Sequence, residues 1–431
     1  MHPNALLNHA SELVLQVLRL DHPADAVVSR YFRDHRQLGP RERATLAETA
    51  YAVLRRKPLY EHLARAGSGA RERRLAILGF HGSRDFLNGA LSPQEKSWLK
   101  SCDAVTAAEL RPEDVHNLPA WLVEPLRAQV GDEFDALAAN LLETAPLDLR
   151  VNTLKMKRAE AEKGLARAAI QSEATPHSPW GLRVHGKPPL QKLALFTEGA
   201  LEVQDEGSQL LALLLDAKRG EMVADFCAGA GGKTLAIGAG MRSTGRLYAF
   251  DVSAHRLAAL KPRLARSGLS NVHPVAIAHE RDERIKRLAG KMDRVLVDAP
   301  CSGLGTLRRN PDLKWRQSPK DVQELTAKQQ AILTSAARLV KPGGRLVYAT
   351  CSVLSEENEA IATAFGAAHA DFVPLNVAEV LTTLKVPDAT ALCSPATESE
   401  GEGRVPAGQF LRLWPHRHGT DGFFAAAWQR K

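Results

Sequence analysis

The sequence predicts a multidomain chain: an all-α N-terminal domain, a small α/β connector, and then an α/β doubly wound, Rossmann-like domain. Three observations predict it. Apolar residues recur at i, i+3, i+4 and i+7 through the first hundred residues. Short mixed segments follow from about residue 141, and from about 205 to 365 apolar strand-like runs alternate with helical ones. The expected domains are 1–140, 141–204 and 205–431.

Each element has its reason. ALLNHASELVLQVLRL and RERATLAETAYAVLRRKPLYEHLA carry the helical stripe, with Pro40 at a first-turn position. Ala66–Ala70 (AGSGA) interrupts it. LPAWLVEPLRAQV and EFDALAANLLET read as a helical pair closed by Pro146. RVNTL and GLRVHG read as strands around a helix near 157–169. In the last domain EMVADFC, RLYAFD, VHPVAIA, DRVLVD and RLVYAT are the expected strands, with helices at 233–241, 253–267 and 320–340. The Pro, Ser, Thr, Glu and Gly content of 384–408 reads as a mobile loop.

Composition excludes several classes. The 431 residues are 44% hydrophobic and 25% charged, which fits a soluble globular chain and not a disordered or collagen-like one. No apolar run approaches the ~20 residues that cross a bilayer. The N-terminus lacks a basic region and cleavage site, so the expectation is a cytoplasmic protein with no membrane partner. Five cysteines, odd in number and without metal-ligand spacing, exclude a disulfide framework and predict no metal site. Cys102 and Cys393 have no motif and read as inert. The net charge of +8 points to a polyanion. Residues 51–100 hold ten basic groups against four acids, and Arg55, Arg56, Arg71, Arg73 and Arg74 are the expected phosphate contacts. A solvated helical face is the plainer reading of that stretch.

Chemistry is concentrated at the strand ends. The first ends in Asp225 and runs through Cys227, Ala228, Gly229, Ala230, Gly231, Gly232 and Lys233 into a helix. Such glycines let a ligand approach the backbone. A P-loop is excluded, because Cys227 stands where its first glycine must be. Asp251 ends the second strand, where doubly wound folds keep an acid for a ribose diol. These features predict an adenosine-containing ligand of the methyltransferase kind. The fourth strand ends Asp298-Ala-Pro-Cys301-Ser-Gly-Leu-Gly305, and the fifth ends Ala349-Thr-Cys351-Ser352. A lone cysteine is most often a core residue. Two at adjacent strand ends, in loops rich in Pro, Ser or Gly, point to reactive thiols. A thiolate suits addition at the electron-poor C6 of a pyrimidine, which activates C5 towards a methyl donor. Asp298 is placed to hold the ring N3 and amino edge. The Asn/Asp-Pro-Pro-aromatic loop of exocyclic-amine methyltransferases is absent.

With these motifs in hand, the chain resembles the Sun-type (Fmu-like) RNA cytosine-5 methyltransferases, in the bacterial 16S rRNA branch with a NusB-like N-terminal domain. The likeness covers nearly the whole chain. It includes Arg150-Val-Asn152, Phe196-Thr-Glu-Gly199, Val203-Gln-Asp205, the paired PCS and TCS motifs, Arg308-Arg309-Asn-Pro-Asp312 and His416-Arg-His-Gly-Thr-Asp421. The resemblance implies S-adenosyl-L-methionine as cofactor and rRNA, most specifically 16S, as substrate of a monomeric enzyme. It implies Cys351 as nucleophile, Cys301 as the thiol that helps release the product, Asp298 at the cytosine edge and Lys233 close by. Asp251 would bind the cofactor ribose, with Arg256 near it, and Cys227 to Lys233 would wrap its methionine end. The helical domain and the α/β connector would grip RNA.

Two departures stand out. The family's Ala-Ala-Pro-Gly-Gly-Lys is here Ala228-Gly-Ala-Gly-Gly-Lys233, without proline. The acid expected after the third strand is replaced by Ala278, so its contact is either lost or displaced to Glu280. Two other functions remain open to the sequence: the same chemistry on tRNA or 23S rRNA, and a non-catalytic RNA-binding assembly or antitermination factor. His416 and His418 are either RNA-facing or core polar groups, and Trp315 either stacks a nucleotide or closes its loop.

Overall fold

The computed structural model describes residues 1–396 and 405–431. They form two compact units: Met1–Thr144 with Thr306–Pro319, and Ala145–Gly305 with Lys320–Lys431.

The first unit is helical. Helix Pro3–Val17 turns Leu6, Leu7, Ala10, Leu13, Val14 and Val17 into one buried stripe, each large side chain contributing on the order of 1.5–3 kcal/mol by burial. Pro40 opens helix Pro40–Arg55 at its first position. The long pattern that follows splits at Arg56, which leaves helical geometry before a second helix, Lys57–Ala64, begins with Pro58 in its first turn. Sequence order puts 306–319 with the C-terminal domain, whereas this segment packs inside the helical unit. There Asp312 Oδ2 accepts from the Ala24 amide at 3.1 Å, Lys314 Nζ donates to the Arg55 carbonyl at 2.9 Å, and Trp315 Nε1 donates to the Leu54 carbonyl at 2.7 Å. Trp315 therefore closes its loop.

The second unit holds two sheets. In the smaller, β1 (Leu147–Val151), β2 (Ser172–Ala174), β3 (Gly181–Val184) and β4 (Leu201–Val203) lie antiparallel in the order β2-β3-β1-β4. Helix Arg158–Arg167 packs Ala161 and Leu165 against Leu149, Leu182 and Leu201. In the larger, β5 (Met222–Asp225), β6 (Arg246–Asp251), β7 (Val272–Ala276), β8 (Met292–Asp298) and β9 (Val340–Thr350) run parallel. Strands β10 (Phe372–Leu375), β11 (Leu411–Leu413) and β12 (Phe423–Arg430) complete it; β12 pairs antiparallel with β9, β10 and β11, so the sheet is mixed. The main order is β10-β12-β9-β8-β5-β6-β7. Chain direction across the sheet reverses between β5 and β8, and a crevice opens outside their carboxyl ends at such a switch point.

The described residues of 384–408 form no helix or strand, as expected of a loop, but much of that loop is anchored. Val386, Ala389 and Leu392 are buried in the core, and Ser394 is tied to Phe410 and Gly408 by backbone hydrogen bonds. Residues 397–404 of that stretch lie outside the described residues.

Candidate active site

The crevice at the switch point has a volume of about 430 Å³. Cys227, Asp251, Arg256, Glu280, Asp298, Cys301 and Cys351, all singled out from sequence, line it together with Ile277, Lys328 and Ile332. Sequence reasoning passed over those last three, which lie in ordinary helix and strand text.

Phe226 and Cys227, which begin the loop after β5, line one side of the crevice, while Gly229, Gly231, Gly232 and Lys233 lie outside its lining. Gly229 and Gly231 both adopt positive φ, +57° and +82°. A Cβ on Gly229 would meet the Arg256 guanidinium at 2.3 Å, and one on Gly231 would meet Leu260 at 2.1 Å. Both positions therefore need glycine. Gly231 caps helix Gly232–Gly240, whose first amides lie at the loop. Asp251 holds both lips of this end: Oδ2 accepts from the Gly229 amide and Oδ1 from the Ser253 amide, each at 2.7 Å. Arg256 lies 3.8 Å from Asp251.

Asp225 differs from its neighbours. It is buried beneath the loop instead of lining the crevice, and accepts from the Thr234 hydroxyl at 2.6 Å. Burial pushes its carboxyl up to about 7. Ala228 is buried and Gly232 opens the following helix; neither lines the crevice. At the missing acid, the Ala278 amide is capped by Asp282 Oδ2 at 2.9 Å. It is Glu280, not Asp282, that reaches the crevice.

The reacting end is built from β8 and β9. Asp298 lies opposite Ala349 in the register, so the loops that follow emerge side by side. Cys301 Sγ and Cys351 Sγ are 3.4 Å apart. The hydrogen bond to Cys351, with burial, pushes the Cys301 thiol well above the ordinary range. Burial also raises the Cys227 thiol, so this third crevice cysteine stays protonated. Lys233 Nζ donates to Asp298 Oδ2 at 2.7 Å. Burial alone would lower the lysine, but Asp298, with Cys351 also near, raises it above its usual value and fixes its charge.

Elsewhere the assignments from sequence shift. Arg55 is buried and donates to the Arg308 carbonyl at 2.9 Å. Arg73 pairs with Glu95, Arg74 donates to the Ala64 and Gly67 carbonyls, and Arg71 pairs with Glu61. Arg55, Arg73 and Arg74 therefore serve the fold, leaving Arg56, Arg65, Lys96 and Lys100 outside these pairs. His418 Nδ1 accepts from the Trp414 amide at 2.8 Å, a structural role. Among the described residues no helix is long and apolar enough to cross a membrane.

A doubly wound sheet with a glycine loop after its first strand, an acid at the end of β6 and two cysteines at the switch point places the fold in the Rossmann-like methyltransferase class. Residues 212–429 match the family described as 16S rRNA methyltransferase RsmB/F, and residues 118–191 match its RsmF/B-like, ferredoxin-like domain. A "Probable ribosomal RNA small subunit methyltransferase B" from Synechocystis sp. is 30% identical, over 96% of this chain and 97% of that protein. The crystal structure of PH0851 superposes with a TM-score of 0.77 at 27% identity, covering 100% of this chain and 99% of that one. NSun6 from Pyrococcus horikoshii, solved with SFG, has a TM-score of 0.59 at 21% identity over 72% of this chain and 98% of its own, a likeness of fold alone. The chain belongs to the RsmB/F family of 16S rRNA methyltransferases.

Proposed function

We propose that the protein transfers a methyl group from S-adenosylmethionine to C5 of a cytosine in small-subunit rRNA through a covalent Cys351–C6 adduct. The observation that carries this reading is the meeting of two thiols, 3.4 Å apart, in one crevice with Asp251 and Asp298. The cofactor, when bound, supplies an electrophilic methyl group. The residues fit it: glycines at 229 and 231 let the loop after β5 take its positive-φ turns, and Asp251 and Glu280 line the crevice as acceptors.

A target base must leave its stack to reach the crevice. Cys351, as thiolate, then bonds to C6 and drives electron density towards C5 and the N3 edge. Asp298, held by Lys233, steadies that edge. Once C5 carries the methyl group, the C5 proton passes to water, its electron pair forms the C5–C6 double bond, and the Cys351 thiolate is expelled as it began. Cys301, kept as a thiol, donates a hydrogen bond to the departing sulfur and so eases the break. Arg56, Arg65, Lys96 and Lys100 are the proposed phosphate contacts of the helical unit. Unmodified rRNA incubated with labelled cofactor and mapped by bisulfite sequencing tests the whole reading. It predicts one new 5-methylcytosine in the small-subunit rRNA, and none would overturn it.

A further inference from the structure

Glu357 belongs to no motif that the chemistry above uses, yet it is completely buried just behind both cysteine loops. Its Oε1 accepts from the Ser302 amide at 2.8 Å and from Gln329 Nε2 at 3.0 Å. Its Oε2 accepts from the Ser302 hydroxyl at 2.5 Å and from the Ser352 hydroxyl. Ser302 and Ser352 are the residues that directly follow the two cysteines, and their hydroxyls lie 3.2 Å apart. Gln329 also donates to the Pro300 carbonyl at 3.0 Å, which ties the other side of Cys301 to the same carboxyl group. The turn bearing Glu357 is itself anchored, since Tyr348 OH donates to the Glu357 carbonyl at 2.6 Å. Next to it, Asn358 Nδ2 donates to the Ser352 carbonyl at 3.0 Å.

We infer that Glu357 is a positioning residue, a buried carboxylate that clamps the Cys301 and Cys351 loops together and so sets the separation of the two sulfurs. Four donors converge on its two oxygens, a set that an ionised carboxylate satisfies and a neutral amide matches poorly. The Cys301 loop carries Gly303 and Gly305, whereas the Cys351 loop has no glycine. The Gly305 amide donates to the Cys351 carbonyl at 2.9 Å, and the carboxylate adds a second tie behind the sulfurs, so that the two loops move as a pair. Its negative charge also acts on Cys301, adding to the hydrogen bond and burial that keep that thiol protonated. This inference rests on the proposed roles of the two thiols for its kinetic consequence, but not for its geometric one.

Two measurements separate the levels. Dibromobimane, which becomes fluorescent when two nearby thiols displace both bromines, reads the sulfur separation without RNA or turnover. The linked peptides are identified by mass spectrometry. Glu357→Gln should lower the Cys301–Cys351 cross-link yield at least about fivefold while the far-ultraviolet spectrum stays native. In the methylation assay kcat should fall roughly ten- to a hundredfold, the range of a lost charged hydrogen bond, with KM for the cofactor within about twofold. A cycle with Ser302→Ala and Ser352→Ala completes the test, because Glu357→Gln should add little once both hydroxyls are gone. If Glu357→Gln fails to fold, Ser352→Ala carries the same expectations in milder form. A native cross-link yield in either folded variant would overturn the clamp. Lost kcat with a native cross-link would likewise overturn it. A lost cross-link in a protein that makes no 5-methylcytosine even as wild type would keep the clamp and refute only the proposed reaction.

Discussion

Cys301 and Cys351 are 50 positions apart in the chain, yet their sulfurs lie 3.4 Å apart in space. Sheet register brings this about: Asp298 on β8 faces Ala349 on β9, and each cysteine follows within three residues of its strand's paired residue. Parallel neighbours deliver their carboxyl ends to the same edge, so two loops remote in sequence share one reaction centre.

The proximity makes the two thiols separable by experiment. Cys351→Ala should abolish methyl transfer and any covalent protein–RNA species. Cys301→Ala should still attack and methylate but fail to release, leaving an adduct that survives denaturing gel electrophoresis. An adduct in the Cys351 variant alone would reverse the assignment of nucleophile and helper.

Cofactor recognition is tested at Asp251. Asp251→Asn keeps the volume but removes the charge and one of the acceptors that hold the Gly229 and Ser253 amides. Cofactor affinity should fall by about 1.5–3 kcal/mol, roughly ten- to a hundredfold, with RNA binding intact. Glu280→Ala, in the same calorimetric titration, should weaken binding less. Normal affinity in the Asp251 variant would remove it from the cofactor site.

Lys314 gives the helical unit a pH dependence of known sign. Burial, with Arg55 and Arg56 beside it, lowers its ammonium from 10.5 to about 7. Below pH 7 folded and unfolded chains both carry the proton, and the fold bears the full cost of burying it. Between about pH 7 and 10.5 only the unfolded chain holds the proton, so this contribution makes stability rise with pH. Lys314→Met should flatten that rise and raise Tm most at pH 6. Parallel Tm-versus-pH curves for variant and wild type would refute the buried charge.

Salt dependence separates the arginines that build the fold from those that meet RNA. Replacing Arg56, Arg65, Lys96 and Lys100 together with glutamine should flatten the slope of log affinity against log salt by up to about three, near 0.7 per lost phosphate contact. Arg55→Gln or Arg74→Gln should instead lower Tm and leave the slope unchanged. A slope unmoved by the fourfold replacement would return that surface to solvent.

Much of the second unit was legible because its strands are apolar runs ending in an acid or a Thr-Cys pair, as at Asp225, Asp251, Asp298 and Thr350. The crevice followed from those ends. Position along the sheet was less legible: FFAAAWQR is not among the expected strands, and nothing local places it antiparallel between β9 and β10. Asp225 and Asp251 look alike in sequence, and only packing sends one beneath the loop and the other into the crevice. Glu357 was invisible for a related reason. An acid in Ser-Glu-Glu-Asn text reads as solvated, and its burial depends on Ser302 and Gln329, both remote in the chain. The basic stretch misled in the opposite direction, since Arg55, Arg73 and Arg74 find carbonyl or carboxylate partners that charge counting does not register.

The placement of 306–319 has a bearing on biosynthesis. Lys314 and its carbonyl partner on Arg55 are 259 positions apart, so a ribosome making this chain releases the N-terminal helices long before the piece that completes them. Until residue 319 emerges, the carbonyls of Leu54 and Arg55 lack their partners and the slot for the Trp315 ring stands open. The nascent helices must wait as an unfinished assembly, with the delay and aggregation risk that distant contacts bring. A fragment cut at residue 144 would be arrested permanently at that stage.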